Sequence, residues 1–96
     1  MAAYLVVDTH LTNPELYELY KLRAKPLVEK YGGEYLARGG KLSVKEDVLW
    51  APTRMVLVRF PSAQDAETFY QSDEYQEVLK IGKQSADHTV IILEGI

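Results

Sequence analysis

The sequence predicts an α+β fold with the element order βαββαβ. Four runs rich in β-branched and aliphatic residues alternate with segments whose apolar residues recur at helical spacing. A capped helix follows the first strand and again the third, so the chain repeats one organisation in its two halves. In the ferredoxin-like arrangement that this order predicts, four antiparallel strands form one sheet and both helices lie on one face. A chain of 96 residues is expected to form a single domain, 1–96.

The first half begins with the apolar stretch AYLVVDT, which predicts the first strand. Thr12 and Glu15 have the spacing of a capping box, and Pro14 suits the first turn of the helix that follows. The glycine pair 32–33 is expected to end this helix. Pro26 lies within it and predicts a kink or a break, because proline removes one backbone donor and clashes with the preceding turn.

The second half follows the same plan. EYLAR predicts a second strand and RMVLVRF a third, with a polar and charged connection between them. Ser62 is the expected cap of the next helix, and Ser72 caps a shorter helical segment after it. The closing stretch TVIIL predicts the fourth strand.

Both faces of the predicted sheet are apolar. A strand that is covered on one side should alternate apolar and polar residues, but Leu5 and Val7 alternate here with Tyr4 and Val6, and the last two strands share this pattern. The helices cover one face of the sheet, and the sequence contains no further element to cover the other. The simplest arrangement is that this second face packs against the same face of a second copy about a two-fold axis. We therefore expect a homodimer that pairs through its sheet face as a dimeric α/β barrel.

Composition and charge argue against several partners and chemistries. A net charge of −3 with scattered lysines and arginines argues against nucleic acid. The absence of cysteine leaves no thiolate or disulfide and fits the cytoplasm. The first apolar run is interrupted at Asp8 and lacks a basic segment before it, so we expect no signal peptide and no membrane span. His10 and His88 lack ligand spacing and nucleotide-binding motifs are missing, so we expect no metal and no cofactor.

A polar cluster is expected at one end of the sheet. Strand parity places Asp8 on the same face as Tyr4, between the two sheets of the expected dimer. We expect the strand order to bring Arg59 and His88 to the same end. Asp8 and His88 are then candidate catalytic residues for proton relay, and Tyr4 and Arg59 are candidate ligand contacts. The alternative is an ion pair between Asp8 and Arg59 at the rim of the dimer interface.

Arg38 and Trp50 are two further candidate ligand-binding residues. The Arg38 guanidinium could clamp a carboxylate or phosphate, or it could pair with Glu34 or Glu46. The glycines at 39–40 are expected to allow a bulge or a tight bend after it. Trp50 lies in the following connection, where it could cover the cavity or pack on the partner subunit.

Several stretches together resemble one known family over essentially the whole chain. YGGEYLARGG, RFPSAQDAETFYQSDEYQEVL and LEGI are similar to the uncharacterised family called domain of unknown function 1330. The resemblance implies a dimeric α/β barrel, an assembly shared with antibiotic-biosynthesis monooxygenases and muconolactone isomerases, and it implies no established reaction. The matching positions are Arg38, Gly39, Gly40, Trp50, Arg54, Phe60, Pro61, Ser62, Tyr70, Ser72, Glu74, Tyr75, Glu94 and Gly95. Arg59 departs from the family pattern, which usually has an acidic residue before the Phe-Pro pair.

Two classes of function stay open at this point. The first is a cofactor-independent enzyme, similar to a monooxygenase or an isomerase. Its substrate would be a small organic molecule, either neutral or anionic. The second is a non-catalytic small-molecule-binding or structural dimer with the same pocket. Fold analogy alone does not separate them.

Overall fold

The four strands of the protein form one antiparallel sheet in the order β2-β3-β1-β4. The structure is a computed structural model that describes all residues from Met1 to Ile96. The elements are β1 (Ala3–Leu11), α1 (Pro14–Lys30), β2 (Glu34–Arg38), β3 (Met55–Phe60), α2 (Ala63–Gln71), α3 (Asp73–Ser85) and β4 (Ala86–Glu94). The predicted α+β, ferredoxin-like fold is confirmed, with the second helix divided into α2 and α3. None of the helices combines the length and the apolar character needed to cross a membrane.

The first helix differs from its prediction at its start. Asn13, rather than Thr12, is the N-cap, and its Oδ1 accepts a hydrogen bond from the Leu16 amide at 3.2 Å. Proline at position 14 is the first helical residue, as predicted. The sequence is compatible with either Thr12 or Asn13 as the N-cap, and in the structure Asn13 forms it.

Pro26 does not divide this helix, which continues to Lys30. Ala24 and Val28 flank the proline and are 2% and 3% exposed in the core. Their burial in the core on both sides of Pro26 outweighs the loss of one backbone hydrogen bond.

The hydrophobic core lies between the helices and one face of the sheet. Alternate side chains of β1 and β3, such as Leu5 and Val58, point into it. Phe60 and Phe69 are essentially inaccessible to solvent, and their ring centroids lie 5.4 Å apart. Ser62 and Ser72 cap α2 and α3 as predicted, which fixes where both helices begin.

The register of the strands determines which residues share a face. In β1, Thr9 lies opposite His88 of β4, and Asp8 lies opposite Met55 and Thr89. Directly opposed residues point to the same side of a sheet, so His88 and Thr9 lie on the helix-covered face and Asp8 lies on the other. We call the second face the open face; it carries Tyr4, Val6, Asp8, Met55, Leu57, Arg59, Thr89, Ile91 and Leu93.

Candidate functional site

The predicted cluster of Asp8, Arg59 and His88 does not form. β1 and β3 are antiparallel, so the last residues of β3 lie beside the first residues of β1, and Arg59 is opposite Tyr4. The expectation that the two strands end together was wrong because it ignored this antiparallel direction. Arg59 is an exposed residue of the open face, at the opposite end of β1 from Asp8, and the alternative ion pair between them is absent.

Asp8 and His88 are also separated by the sheet itself. His88 is opposite Thr9, the neighbour of Asp8, and neighbouring residues of a strand point to opposite faces. The predicted direct relay of a proton between the two side chains is therefore wrong. Each of them must be considered with the residues of its own face.

The Asp8 carboxylate holds the end of the long connection between β2 and β3. Its Oδ1 accepts hydrogen bonds from the Thr53 amide at 3.0 Å, the Thr53 hydroxyl at 3.1 Å and the Arg54 amide at 3.1 Å. Its Oδ2 accepts one from Trp50 Nε1 at 3.0 Å. Burial acts to raise the pKa of Asp8, but these hydrogen bonds outweigh it and hold the pKa below its ordinary value. The carboxylate is thus ionised and fully engaged with the connection.

Trp50 lines only a shallow pocket formed by its own connection, residues 46–52. Its indole binds Asp8, whose side chain is on the open face, and 57% of Trp50 is exposed to solvent. Tyr4 also lies on the open face and is partly buried. These two predicted ligand contacts therefore lie on the side of the sheet away from the helices.

A narrow cavity of about 40 Å³ lies on the other side, between the helices and the sheet. Aliphatic side chains of β1, β3 and β4 form one wall, and aromatic rings carried mainly by the helices form the other. Its lining residues are Leu5, Val7, Tyr17, Tyr20, Lys21, Val28, Tyr35, Arg38, Val56, Val58, Phe69, Tyr75, Leu79, His88 and Val90. Apolar walls with a few convergent polar groups are typical of small-molecule sites.

His88 is the one histidine in this wall. Its Nε2 is buried and makes no hydrogen bond. Burial lowers the pKa of His88, the neighbouring Asp87 opposes this, and the positive charges of Arg54 and Lys83 lower the pKa further. The imidazole is therefore neutral at neutral pH and has a nitrogen available to exchange a proton.

Tyrosine rings surround this imidazole. The ring centroids of Tyr17 and Tyr20 lie 6.2 and 6.1 Å from that of His88. The hydroxyls of Tyr20 and Tyr75 are hydrogen-bonded to each other at 2.7 Å, and burial raises the pKa of both, that of Tyr75 to about 12. Both hydroxyls therefore stay protonated at neutral pH.

Arg38 lines the same cavity because β2 is irregular. A bulge between Tyr35 and Ala37 shifts the alternation, so that Tyr35 and Arg38 both face the helices although they are three residues apart. Arg38 Nη2 donates to the Lys21 carbonyl at 2.9 Å, and its guanidinium lies 4.5 Å from the Tyr35 ring centroid. The alternative pairing with a glutamate is wrong, since no carboxylate lies within salt-bridge distance of Arg38.

Arg54 is a site residue that sequence reasoning missed. Its Nη1 donates to the Tyr17 hydroxyl at 3.2 Å, and its guanidinium lies 5.1 Å from the Tyr17 ring centroid. Gly39 makes room for it, because a Cβ at this position would lie 2.6 to 2.8 Å from three guanidinium atoms. Gly39 has a φ of 73°, so it supplies the bend after Arg38 as well.

Replacement of Gly39 by alanine is expected to lower the free energy of unfolding by about 1–2 kcal/mol, the cost of a left-handed backbone at a residue with a Cβ. It should also push Arg54 away from Tyr17. Gly40→Ala is the matched control, since nothing lies within 4 Å of its Cβ position, and should change stability by less than about 0.5 kcal/mol. Urea denaturation of both variants measures this, and equal losses would contradict the role of Gly39.

A groove of about 360 Å³ leads from solvent to His88 between α3 and β4; we call it the α3–β4 groove. It shares Leu79, His88 and Val90 with the cavity. Lys83, exposed and without a salt bridge, lies along it and offers a free positive charge. No group of three or more histidine, aspartate or glutamate side chains is arranged to hold a metal ion.

Several solved structures share this fold at low sequence identity. A protein of unknown function from Rhodopseudomonas palustris, RPA0582, has a TM-score of 0.76 at 18% identity, over 99% of this chain and 82% of its own. SnoaB, a cofactor-independent oxygenase from Streptomyces nogalater, has a TM-score of 0.71 at 5% identity, over 99% and 93%. A dimeric protein of unknown function with a ferredoxin-like fold, from Bacteroides fragilis, has a TM-score of 0.56 at 11% identity, over 98% and 96%.

These identities are low enough that the structural likeness establishes the fold alone. No curated protein matches the chain in sequence. The sequence itself matches the family model described as Domain of unknown function (DUF1330) over residues 2–96. The chain therefore belongs to the DUF1330 family.

Proposed function

We propose that this protein is a cytoplasmic homodimer that binds a small organic molecule in the cavity and the α3–β4 groove, and that His88 exchanges a proton with it. The reaction class is cofactor-independent, monooxygenase-like or isomerase-like chemistry. One observation carries the proposal: the buried Nε2 of His88 has no hydrogen-bond partner in an otherwise apolar wall. Buried polar atoms are nearly always hydrogen-bonded, so an orphaned one at a cavity calls for a functional explanation.

The surroundings of His88 suit a general base. A neutral imidazole can accept a proton from an acidic C–H or O–H group of a bound molecule. The anion that results would lie in an apolar cavity near the guanidinium of Arg54, whose charge already acts on His88. A fixed positive charge in a site shielded from water stabilises such an anion strongly. Asp8 has no part in this step, because it lies across the sheet.

The size of the site also supports this use of the α3–β4 groove. The cavity of about 40 Å³ holds only a few water-sized groups. The groove of about 360 Å³ lies within the range of small-molecule sites. A molecule seated in the groove would place its reacting end against His88 and any anionic end near Lys83.

The homodimer is supported by the open face. Ile91 and Leu93 are 50% and 57% exposed there, beside the apolar side chains of Val6, Met55 and Leu57. The protein is flat, 34 by 31 Å across and 18 Å thick, so a broad face of this kind matches the roughly 800 Å² per partner of a stable interface. The Bacteroides fragilis protein of similar fold is itself described as dimeric.

Native mass spectrometry of the purified protein tests both parts of the proposal. We expect twice the 10.9 kDa protomer mass and, on collisional activation, release of a small molecule in a fixed ratio to the protomer. A monomer at micromolar concentration would contradict the homodimer. A protein that neither carries nor takes up any small molecule would contradict the binding function.

His88→Gln is expected to lower turnover of the released molecule, or of its close analogues, by at least about 100-fold. Glutamine keeps a polar side chain but accepts no proton at neutral pH, so KM should change little while kcat falls. His10→Gln, at an exposed histidine of the same sheet, is the matched control and should keep full rate. Unchanged kcat in His88→Gln would contradict the role as general base.

The alternative function is a non-catalytic small-molecule-binding dimer. The mutual hydrogen bond of Tyr20 and Tyr75 favours it, because these hydroxyls are satisfied without a ligand. For such a protein, wild type and His88→Gln would bind the same molecule and neither would release a product.

A further inference from the structure

We propose that an apolar loop tip packs against a second copy of this chain and extends the dimer interface beyond the sheet. The tip consists of Val48, Leu49 and Trp50, in the connection 39–54 between β2 and β3. This inference rests on the proposed homodimer and adds to it a surface and residues outside the open face. It assigns Trp50 a partner-binding role.

The tip is exposed to a degree that is unusual for large apolar side chains. Val48 is 92% exposed, Leu49 is 89% exposed and Trp50 is 57% exposed. Single exposed apolar residues are ordinary on a surface, but consecutive ones form a patch that marks an interaction site. No backbone hydrogen bond joins residues 40–52 to the rest of the chain. A connection of this length without internal structure is uncommon unless it has a function.

Both ends of this connection are nevertheless fixed. At the first end, the Gly39 amide donates to the Met55 carbonyl at 2.8 Å. At the second, Asp8 accepts from the amides of Thr53 and Arg54, and the Thr53 hydroxyl donates to the Thr9 carbonyl at 2.7 Å. The Asp8 carboxylate and several hydrogen bonds thus hold the tip in place, although its apolar side chains are exposed to solvent.

The position of the tip points to a second copy as its partner. Trp50 donates to Asp8, which belongs to the open face, so the tip adjoins the surface that the proposed dimer buries. Two sheets that pack through their open faces about a two-fold axis bring each tip next to the other subunit. The apolar surfaces of the tip and the open face then form one continuous interface.

Charge is compatible with contact between two identical loops. Lys41 and Lys45 balance Glu46 and Asp47, so the exposed part of the connection has no net charge. Two copies can therefore approach across a two-fold axis without strong repulsion between like charges. The same balance provides no basic cluster for anionic lipid headgroups.

Trp50 is the only tryptophan of the chain, so its fluorescence reports directly on the tip. We would record the emission maximum and the sedimentation of the whole protein from nanomolar to micromolar concentration. We expect the emission to shift to shorter wavelength as the dimer forms. The test variant is Val48→Asp with Leu49→Asp, and Leu22→Asp is its matched control, since Leu22 is 73% exposed on α1. Circular dichroism checks that all of them fold.

The test variant should weaken dimerisation by at least about tenfold, whereas the control should stay within about twofold of wild type. A wild-type dimer with unshifted Trp50 emission, together with undiminished dimerisation of the test variant, overturns this inference and leaves the homodimer intact. A wild type that is monomeric throughout overturns both. A shift on adding phosphatidylcholine vesicles, with none on dimerisation, also overturns it and assigns the tip to a membrane surface.

Discussion

Replacing Phe69 with alanine is expected to lower the free energy of unfolding by about 3–5 kcal/mol. The side chain is 1% exposed, and its ring centroid lies 4.4 Å from that of Tyr75 and 5.4 Å from that of Phe60. Rigid aromatic neighbours cannot collapse into the space that the ring leaves, so both the transfer free energy and the cavity cost should appear in full. Such a loss is a large part of the stability of a domain of this size.

Urea denaturation at one fixed protomer concentration would measure the effect, because any association between copies would add to the apparent stability. Phe69→Leu is the control; it keeps much of the apolar volume and should lose less. Phe69 also lines the cavity, so the void in the alanine variant should join it and admit larger molecules. A loss below about 1 kcal/mol would mean that the core is not centred on this ring.

The elements of the fold were predictable because their signals are local. Ser62 and Ser72 cap their helices as predicted, since a cap depends only on the next three residues. The fourth strand is longer than predicted, beginning at Ala86 directly after α3. The first residues of this strand are mostly polar, so the sequence does not predict them as part of a strand. Their strand structure is recognised only from the pairing of Ala86 with Leu11 and of His88 with Thr9.

The site was predicted less well because it depends on register and tertiary contact. The predicted pairing of Asp8 with His88 was wrong because a single step along β1 decides which face a side chain joins. Arg38 faces the cavity only because of the bulge between Tyr35 and Ala37, and the sequence of β2 does not predict a bulge at that position. Arg54 meets Tyr17 across a long connection, and no pattern within either segment encodes that contact.

Asp8→Asn is expected to lower the free energy of unfolding by about 2 kcal/mol at neutral pH, close to the value of one charge-assisted hydrogen bond. The full sum of four bonds is not expected, because water can reach the donors that are freed at this partly exposed position. Asn keeps one accepting oxygen but presents an amide group that cannot accept from Trp50 or Thr53. Asp47→Asn, at an exposed position of the same connection, is the matched control and should have little effect.

The loss in Asp8→Asn should also depend on pH in a definite direction. The pKa of Asp8 in the folded protein lies below its ordinary value of 3.8, so the unfolded chain binds this proton more readily. The carboxylate therefore contributes its full stability well above pH 3.8, and the contribution is lost as the pH falls through the folded pKa. The stability curves of wild type and variant, measured by urea denaturation, should lie apart at neutral pH and converge in this acidic range. A gap that stays constant into strong acid would show that Asp8 supports the connection through its shape and not through its charge.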